Sequence, residues 1–304
     1  MGSEMTSLTV RRMIIVLLLS AFALLLDVAL CAEEPSEPTC QAASCGAPQA
    51  AVEEVRPAAS ERTVLSGQRD DKEVRAHLES VCGELPGGCS GPIPSFHTFS
   101  RRPLVRIYEP VLTPQEAEHF MAEASLLMEP SEEVEARHRA RGGSEGGRTN
   151  QRTWLNREHD EVVRRVVARI SSIVGFSPSH VEGPQVIQYQ ERQRYGSHMD
   201  GFNMSSERGK PELKKGGQRL LTALTYLSGV AEGGATCFTE LKTKKEGKKL
   251  CVKPKLGRLL VFSNCRPLLS IDRDPRALHS GEPVVRGTKW AFNLWYRQRE
   301  RKPR

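Results

Sequence analysis

The sequence predicts an α+β fold in which helices support an antiparallel sandwich or barrel. Two observations carry this. Segments beginning near residues 113 and 156 have helical capping chemistry and period. Beyond residue 183 the pattern changes to short strands separated by turns, with no internal repeat. Helices followed by a run of strands imply helices packed against antiparallel sheets. The composition agrees. Of 304 residues, 38% are hydrophobic and 25 are glycine, which excludes a mostly disordered chain. A mean hydropathy of −0.44 excludes a multi-span membrane protein. The net charge of +7 comes from 44 basic and 37 acidic residues, so both signs are mixed. That balance permits an acidic partner without requiring nucleic acid.

In chain order, Arg11-Arg12 precede an apolar run of about 14 residues ending at Leu26. This reads as a secretory signal. With Val28-Ala-Leu-Cys-Ala32 included it reaches about 20 residues, enough to serve as a membrane anchor. Residues 1–32 are therefore a signal peptide or signal anchor, and either one sends the chain into an oxidising lumen. Residues 33–100 read as a low-complexity tether, because the Ala/Glu/Pro/Ser-rich stretch up to Gly67 cannot offset its ordering entropy. Cys40 with Cys45, and Cys82 with Cys89, could each close a small disulfide loop or remain free thiols. No histidine lies at finger-like spacing around them, which disfavours zinc.

A folded domain is expected over residues 101–304. Leu104-Val-Arg-Ile-Tyr108 alternates as a strand does. Thr113-Pro-Gln-Glu116 is a capping box with proline at the first helical position, opening a helix to about Met128. Residues 129–147 are polar and glycine-bearing, as a loop is. Asn156 can cap a second helix with Val162, Val163, Val166, Val167, Ile170 and Ile173 on one stripe, closed by Gly175. Strands follow at residues 185–190, 219–227, 235–238, 250–252, 259–262 and 290–296. Cys237 and Cys251 flank the basic run of residues 242–249 and could bridge a hairpin, whereas Cys265 has no obvious mate. The run itself is either a solvated hairpin loop or a contact for an acidic substrate, and the basic tail of residues 297–304 has the same ambiguity. Asn203-Met-Ser205 is a glycosylation sequon that has meaning only in a lumen.

The chemistry centres on Tyr195-Gly-Ser-His198-Met-Asp200. Residues two apart on an extended segment share a face. With a third, distant ligand they would form a facial triad suited to Fe(II), leaving positions open for a co-substrate and oxygen. His279 is the only histidine downstream of Asp200, and Lys289 follows ten residues later at the start of a strand. A buried lysine there could bind the far end of a dicarboxylate. A His-x-Asp pair alone is common by chance. The wider set comprises Tyr189, His198, Asp200, Arg219, Thr222, Tyr226, Gly233-Gly-Ala-Thr236, Val252-Lys-Pro-Lys-Leu-Gly257, His279, Gly281, Pro283-Val284, Gly287 and Lys289-Trp290. In this order the blocks resemble the Fe(II)/2-oxoglutarate dioxygenases of the prolyl 4-hydroxylase type (alpha subunit-like) over residues 184–297.

The resemblance implies a double-stranded β-helix, or jelly-roll, core with supporting N-terminal helices. It implies that His198, Asp200 and His279 hold iron and that Lys289 pairs with the C5 carboxylate of 2-oxoglutarate. Thr222 and Tyr189 would line the co-substrate pocket. Tyr226 is a further pocket residue or an ordinary strand-packing one. Arg219 would lie in a catalytic role near the peptide groove, or be a solvated strand-end charge. The implied reaction is hydroxylation of peptidyl proline to 4-hydroxyproline with O2 and 2-oxoglutarate, releasing succinate and CO2. L-ascorbate is the accompanying reductant. A proline-containing peptide or protein is the implied partner, and the endoplasmic reticulum lumen or its membrane the implied location. Two departures bear on the peptide specificity. Gly233-Gly-Ala-Thr236 stands where Gly-Gly-Glu-Thr is usual, and the last strand ends in Trp295-Tyr-Arg297, where plant-like members often carry a histidine. The same scaffold could hydroxylate another side chain or a small molecule, or serve as an inactive binding module. A nucleic-acid substrate is disfavoured by the secretory start.

Overall fold

The computed structural model describes residues 70–90, 92–131, 147–207, 209–243 and 246–302. The N-terminal apolar run, Cys40, Cys45 and most of the 129–147 loop lie outside the described residues. Among the described residues no helix is long and apolar enough to cross a membrane.

The described residues carry a helix thirty residues before the expected boundary at 101. Helix α1 (Asp71–Ser80) starts at a capping box between Asp70 and Glu73 and buries Val74 and Leu78, one turn apart. Only these two positions make its apolar face, too few to stand out against a polar background. The disulfide Cys82–Cys89 closes the turn that follows, and Leu85 joins the same core. Strands β1 (Ser95–Arg101) and β2 (Leu104–Glu109) form an antiparallel hairpin. Helix α2 (Pro114–Ser125) begins at the predicted Thr113/Glu116 capping box and ends three residues before Met128. Helix α3 (Glu161–Val174) is capped by Asp160, whose carboxylate accepts from the Val163 N–H at 2.8 Å. Asn156, the expected cap, instead accepts from the Glu158 N–H in the preceding turn. Val163, Val166, Val167, Ile170 and Ile173 are buried as the stripe predicts, and Val162 only half-buried. Gly175 ends the helix at φ 73°, a conformation that a side chain would strain.

The remaining strands are β3 (Glu129–Pro130), β4 (Gln151–Trp154), β5 (Gln185–Tyr189), β6 (Tyr195–His198), β7 (Arg219–Tyr226), β8 (Glu232–Gly233), β9 (Thr236–Lys242), β10 (Lys249–Val252), β11 (Leu259–Ser263), β12 (His279–Gly281), β13 (Val284–Arg286) and β14 (Lys289–Arg297), with helix α4 (Gly209–Gly216) before β7. The larger sheet runs β1-β2-β11-β7-β14-β5-β4-β3, the smaller β10-β9-β12-β6, and β13 pairs with β8. Alternation sorts the side chains of the larger sheet onto two faces. Leu221, Ala223, Leu259, Val261, Phe292 and Leu294 pack with the helices. Leu224, Tyr226, Leu260, Phe262 and Ala291 pack with Phe238, Leu250 and Val252 of the smaller sheet. The fold is thus the expected jelly roll, a double-stranded β-helix backed by helices. Cys237 and Cys251, directly opposite across β9 and β10, form a disulfide. The two ends of the basic run, Lys242 on β9 and Lys249 on β10, pair with each other across that hairpin.

Candidate active site

His198 at the end of β6 and His279 at the start of β12 are direct cross-strand partners. Each ring is oriented by its own backbone. Nδ1 of His198 donates to the Gly196 carbonyl and Nδ1 of His279 to the Ala277 carbonyl, both at 2.9 Å. Each Nε2 is left to face Asp200, at 3.6 Å from Oδ1 for His198 and 3.8 Å from Oδ2 for His279. The three donor atoms lie within 4.8 Å of one another. Two imidazole nitrogens and one carboxylate converging on a point, with neighbouring positions open to a cavity, fit Fe(II). The outer shell is built as metal sites require. Thr222 donates to Asp200 Oδ2 at 2.8 Å, and Asn264 donates to Thr222 at 2.9 Å.

The protonation states also suit ligation. Burial holds the His198 imidazole neutral, helped by His279 alongside, and brings it down to about 3. Burial by itself would raise the Asp200 carboxyl, but the two imidazoles and the Arg219 cation outweigh it and bring it to about 2. Neutral imidazoles and an ionised carboxylate are the forms that bind metals.

These residues open onto a cavity of about 270 Å³, whose walls include Tyr189, Tyr195, Arg148, Arg219, Lys289 and Trp295. Lys289 sits on β14 opposite Tyr189 on β5 and is 3% exposed. Its Nζ lies 5.2 Å from the Tyr189 ring centre and 5.5 Å from that of Tyr226. Among the described residues no carboxylate comes within ion-pair distance of it. Burial brings its ammonium down to about 7, with Glu282 only partly opposing. A buried cation without a counter-charge is costly to maintain, and an entering carboxylate would relieve that cost.

The other expected residues divide. Tyr189 lies on the cavity wall, its phenol pushed up to about 12 by burial. Thr222 turns beneath Asp200 instead of onto the wall, because its hydroxyl is committed between Asp200 and Asn264. Thr222→Val should therefore weaken Fe(II) binding by about tenfold while sparing 2-oxoglutarate affinity at saturating iron, as separate titrations would read. Tyr226 is fully buried and donates to Thr236 at 2.8 Å, so it packs the strand behind Lys289 and does not line the cavity. Arg219 is no solvated strand end. Glu182 holds its guanidinium by two bonds of 2.8 Å, and the guanidinium lies 3.8 Å from the Trp295 ring centre. Glu182 also pairs with Arg297 at 2.9 Å. Burial alone would raise its acid, but the two guanidiniums bring it to about 2.

Three further wall residues, Tyr195, Arg148 and Trp295, were not given individual site roles from the sequence. Tyr195 stacks on His198 with ring centres 3.6 Å apart. Arg148 lies 4.8 Å over the Tyr195 ring and donates to Asn150 and Gln185. Arg148 follows a long polar segment, and β4 has no apolar alternation. Trp295 faces the cavity from a strand whose other face is core. Its buried indole N–H has no hydrogen-bond partner and lies near enough to Asp200 to help lower its acid. Asn203 of the sequon is exposed in the turn just after the site.

A family model described as the 2OG-Fe(II) oxygenase superfamily matches residues 184–297, a span that includes His198, Asp200, His279 and Lys289. In Arabidopsis thaliana, prolyl 4-hydroxylase 5 is 38% identical over 218 residues, covering 66% of this chain and 71% of the relative. Probable prolyl 4-hydroxylase 8 of the same plant is 36% identical over 216 residues, with the same coverage of 66% and 71%. Among solved structures, the viral collagen prolyl hydroxylase from Paramecium Bursaria Chlorella virus-1, in its 2OG complex, has a TM-score of 0.47 and 24% identity over 69% of this chain and 98% of its own. With relatives this similar over most of their length, the chain belongs to the prolyl 4-hydroxylase family of 2-oxoglutarate- and Fe(II)-dependent oxygenases.

Proposed function

We propose that this dioxygenase hydroxylates peptidyl proline to 4-hydroxyproline, consuming O2 and 2-oxoglutarate and releasing succinate and CO2. The observation that carries the reading is a lone buried Lys289 sharing one cavity with the His198, Asp200 and His279 donors. In this reading the three donors hold Fe(II), and Lys289 receives the far carboxylate of 2-oxoglutarate. Bound iron supplies the electron-transfer chemistry that couples O2 reduction to co-substrate decarboxylation. The chain's own residues orient and shield. Tyr189 and Tyr195 wall the cavity, and Arg219, fixed by Glu182 against Trp295, positions the side facing the substrate peptide. L-ascorbate is the expected reductant. Succinate release should depend on iron and 2-oxoglutarate, rise on adding proline-rich peptides, and match the 4-hydroxyproline formed. Release that ignores proline would move the substrate to another side chain or a small molecule. Its absence under every condition would leave an inactive binding module.

The location proposed is the endoplasmic reticulum lumen, with residues 1–32 as a cleaved signal or a membrane anchor. Arg11-Arg12 with the apolar run supports it, as do the two disulfides Cys82–Cys89 and Cys237–Cys251, which persist in oxidising compartments. Protease protection of the domain in intact microsomes is the expected result, and complete digestion there would refute it.

A further inference from the structure

On the helical side of the larger sheet a second set of donors converges, which the oxygenase chemistry does not use. His119 and Glu123 lie one turn apart on α2, and His159 and Asp160 are consecutive at the start of α3. His119 Nε2 is 2.8 Å from Asp160 Oδ2, His159 Nε2 is 3.0 Å from Glu123 Oε2, and His159 Nε2 is 3.9 Å from Asp160 Oδ2. The donors of Glu123, His159 and Asp160 all fall within 4.8 Å of one another. All four side chains are about one-third exposed, so an ion can enter.

We propose that this cluster is a Zn2+ site that ties the C-terminal half of α2 to the N-terminus of α3. Zinc–nitrogen and zinc–oxygen bonds of about 2.1 Å place tetrahedral donors about 3.4 Å apart, a spacing bracketed by the 3.0 and 3.9 Å from His159 to Glu123 and Asp160. The Glu123 and Asp160 carboxylates neutralise a divalent cation beside the His159 nitrogen, His119 bonds Asp160 from outside the set, and mixed N/O donors favour Zn2+ over Mg2+ or Ca2+, which take oxygen shells. Both ligand-bearing segments are held in advance. Residues one turn apart on a helix are neighbours on its surface. The turn before α3 is fixed by the Glu158 N–H bonding the Asn156 side chain and the His159 N–H bonding its carbonyl. Asp160 Oδ1 caps α3 through Val163, leaving Oδ2 for the ion. Separate ion pairs would give each histidine one carboxylate, whereas His159 Nε2 faces Glu123 Oε2 of α2 at 3.0 Å and Asp160 Oδ2 at the start of α3 at 3.9 Å.

The test is Zn2+ titration of the full chain carrying Asp200→Ala and His279→Ala, which removes competition from the iron donors. One Zn2+ should bind per chain and, at about a hundredfold above its Kd, raise Tm by roughly 5–10 °C. Adding His159→Ala should abolish that binding. Glu123→Gln, which keeps the side-chain shape, should weaken it by about tenfold or more. In the otherwise wild-type chain, Glu123→Gln should leave iron-dependent succinate release unchanged, which checks its folding. No Zn2+ bound once the iron donors are removed would overturn the site. So would Zn2+ binding indifferent to both His159→Ala and Glu123→Gln, which would place the ion on cysteines.

Discussion

Replacing Asp200 or His279 with alanine should lower 2-oxoglutarate-dependent turnover by at least about a thousandfold, equivalent to about 4 kcal/mol of lost transition-state stabilisation. Each supplies one of three donors that face a common point, and both are buried on β6–β12 or the turn just after it. A facial set reduced to two protein ligands cannot hold the metal against solvent and chelators. The fold should survive. The two histidine rings rest on local carbonyls, and the Thr222–Asn264 bond remains when Asp200 is shortened. Iron content and succinate release, measured on material with unchanged circular dichroism, decide the matter. Near-normal turnover in either variant would remove these residues from the metal site.

Lys289→Ala should weaken 2-oxoglutarate binding by roughly 10- to 150-fold. A charge-assisted bond is worth roughly 1.5–3 kcal/mol, and each ~1.4 kcal/mol is tenfold in affinity. Leaving the buried carboxylate unpaired adds to the loss. Iron affinity without co-substrate should stay the same. The lowered ammonium gives a second, sharper signature. With a pKa of about 7 in the free protein, the charged fraction falls from about 0.9 at pH 6 to about 0.1 at pH 8. Binding the dicarboxylate then draws in a proton, so affinity should fall about tenfold across that interval. Lys289→Arg stays charged and should flatten the pH profile while binding somewhat more weakly. For stability the sign is the reverse. The folded state binds fewer protons than the unfolded one between about 7 and 10.5, so this residue's contribution to stability rises with pH through that window. Unchanged affinity in Lys289→Ala, or a pH-flat wild type, would move the carboxylate partner elsewhere.

The long, strongly patterned elements were legible in the sequence. The Thr113 box opened α2, Gly175 closed α3, and the β7, β11 and β14 runs were placed within a residue or so. The elements that carry the chemistry were harder to see. β6 and β12 are only four and three residues long, and Tyr-Gly-Ser-His and His-Ser-Gly have no hydrophobic alternation to betray a strand. Their candidate donors, which the structure brings together, were picked out by residue type, order and family resemblance, while the periodicity there was silent. Helix α1 was hidden for a related reason, since only Val74 and Leu78 face the core. Asn156 and Asp160 carry the same capping chemistry four residues apart, and only the backbone path into α3 selects between them. Arg148 reaches the cavity through tertiary placement that no local pattern encodes.

The pairing of His198 with His279 would make a metal held between them a gauge of strand alignment. β6 is the outermost strand of its sheet, held within that sheet on one side by β12 alone. A slip of one residue between them would turn one imidazole to the opposite face and dismantle the donor set. An ion bridging the two strands therefore rewards a single register and clasps the edge where a sheet frays first. Loss of an ion from these donors would then loosen the architecture as well as the chemistry, and loading it would be part of how the sandwich is finished.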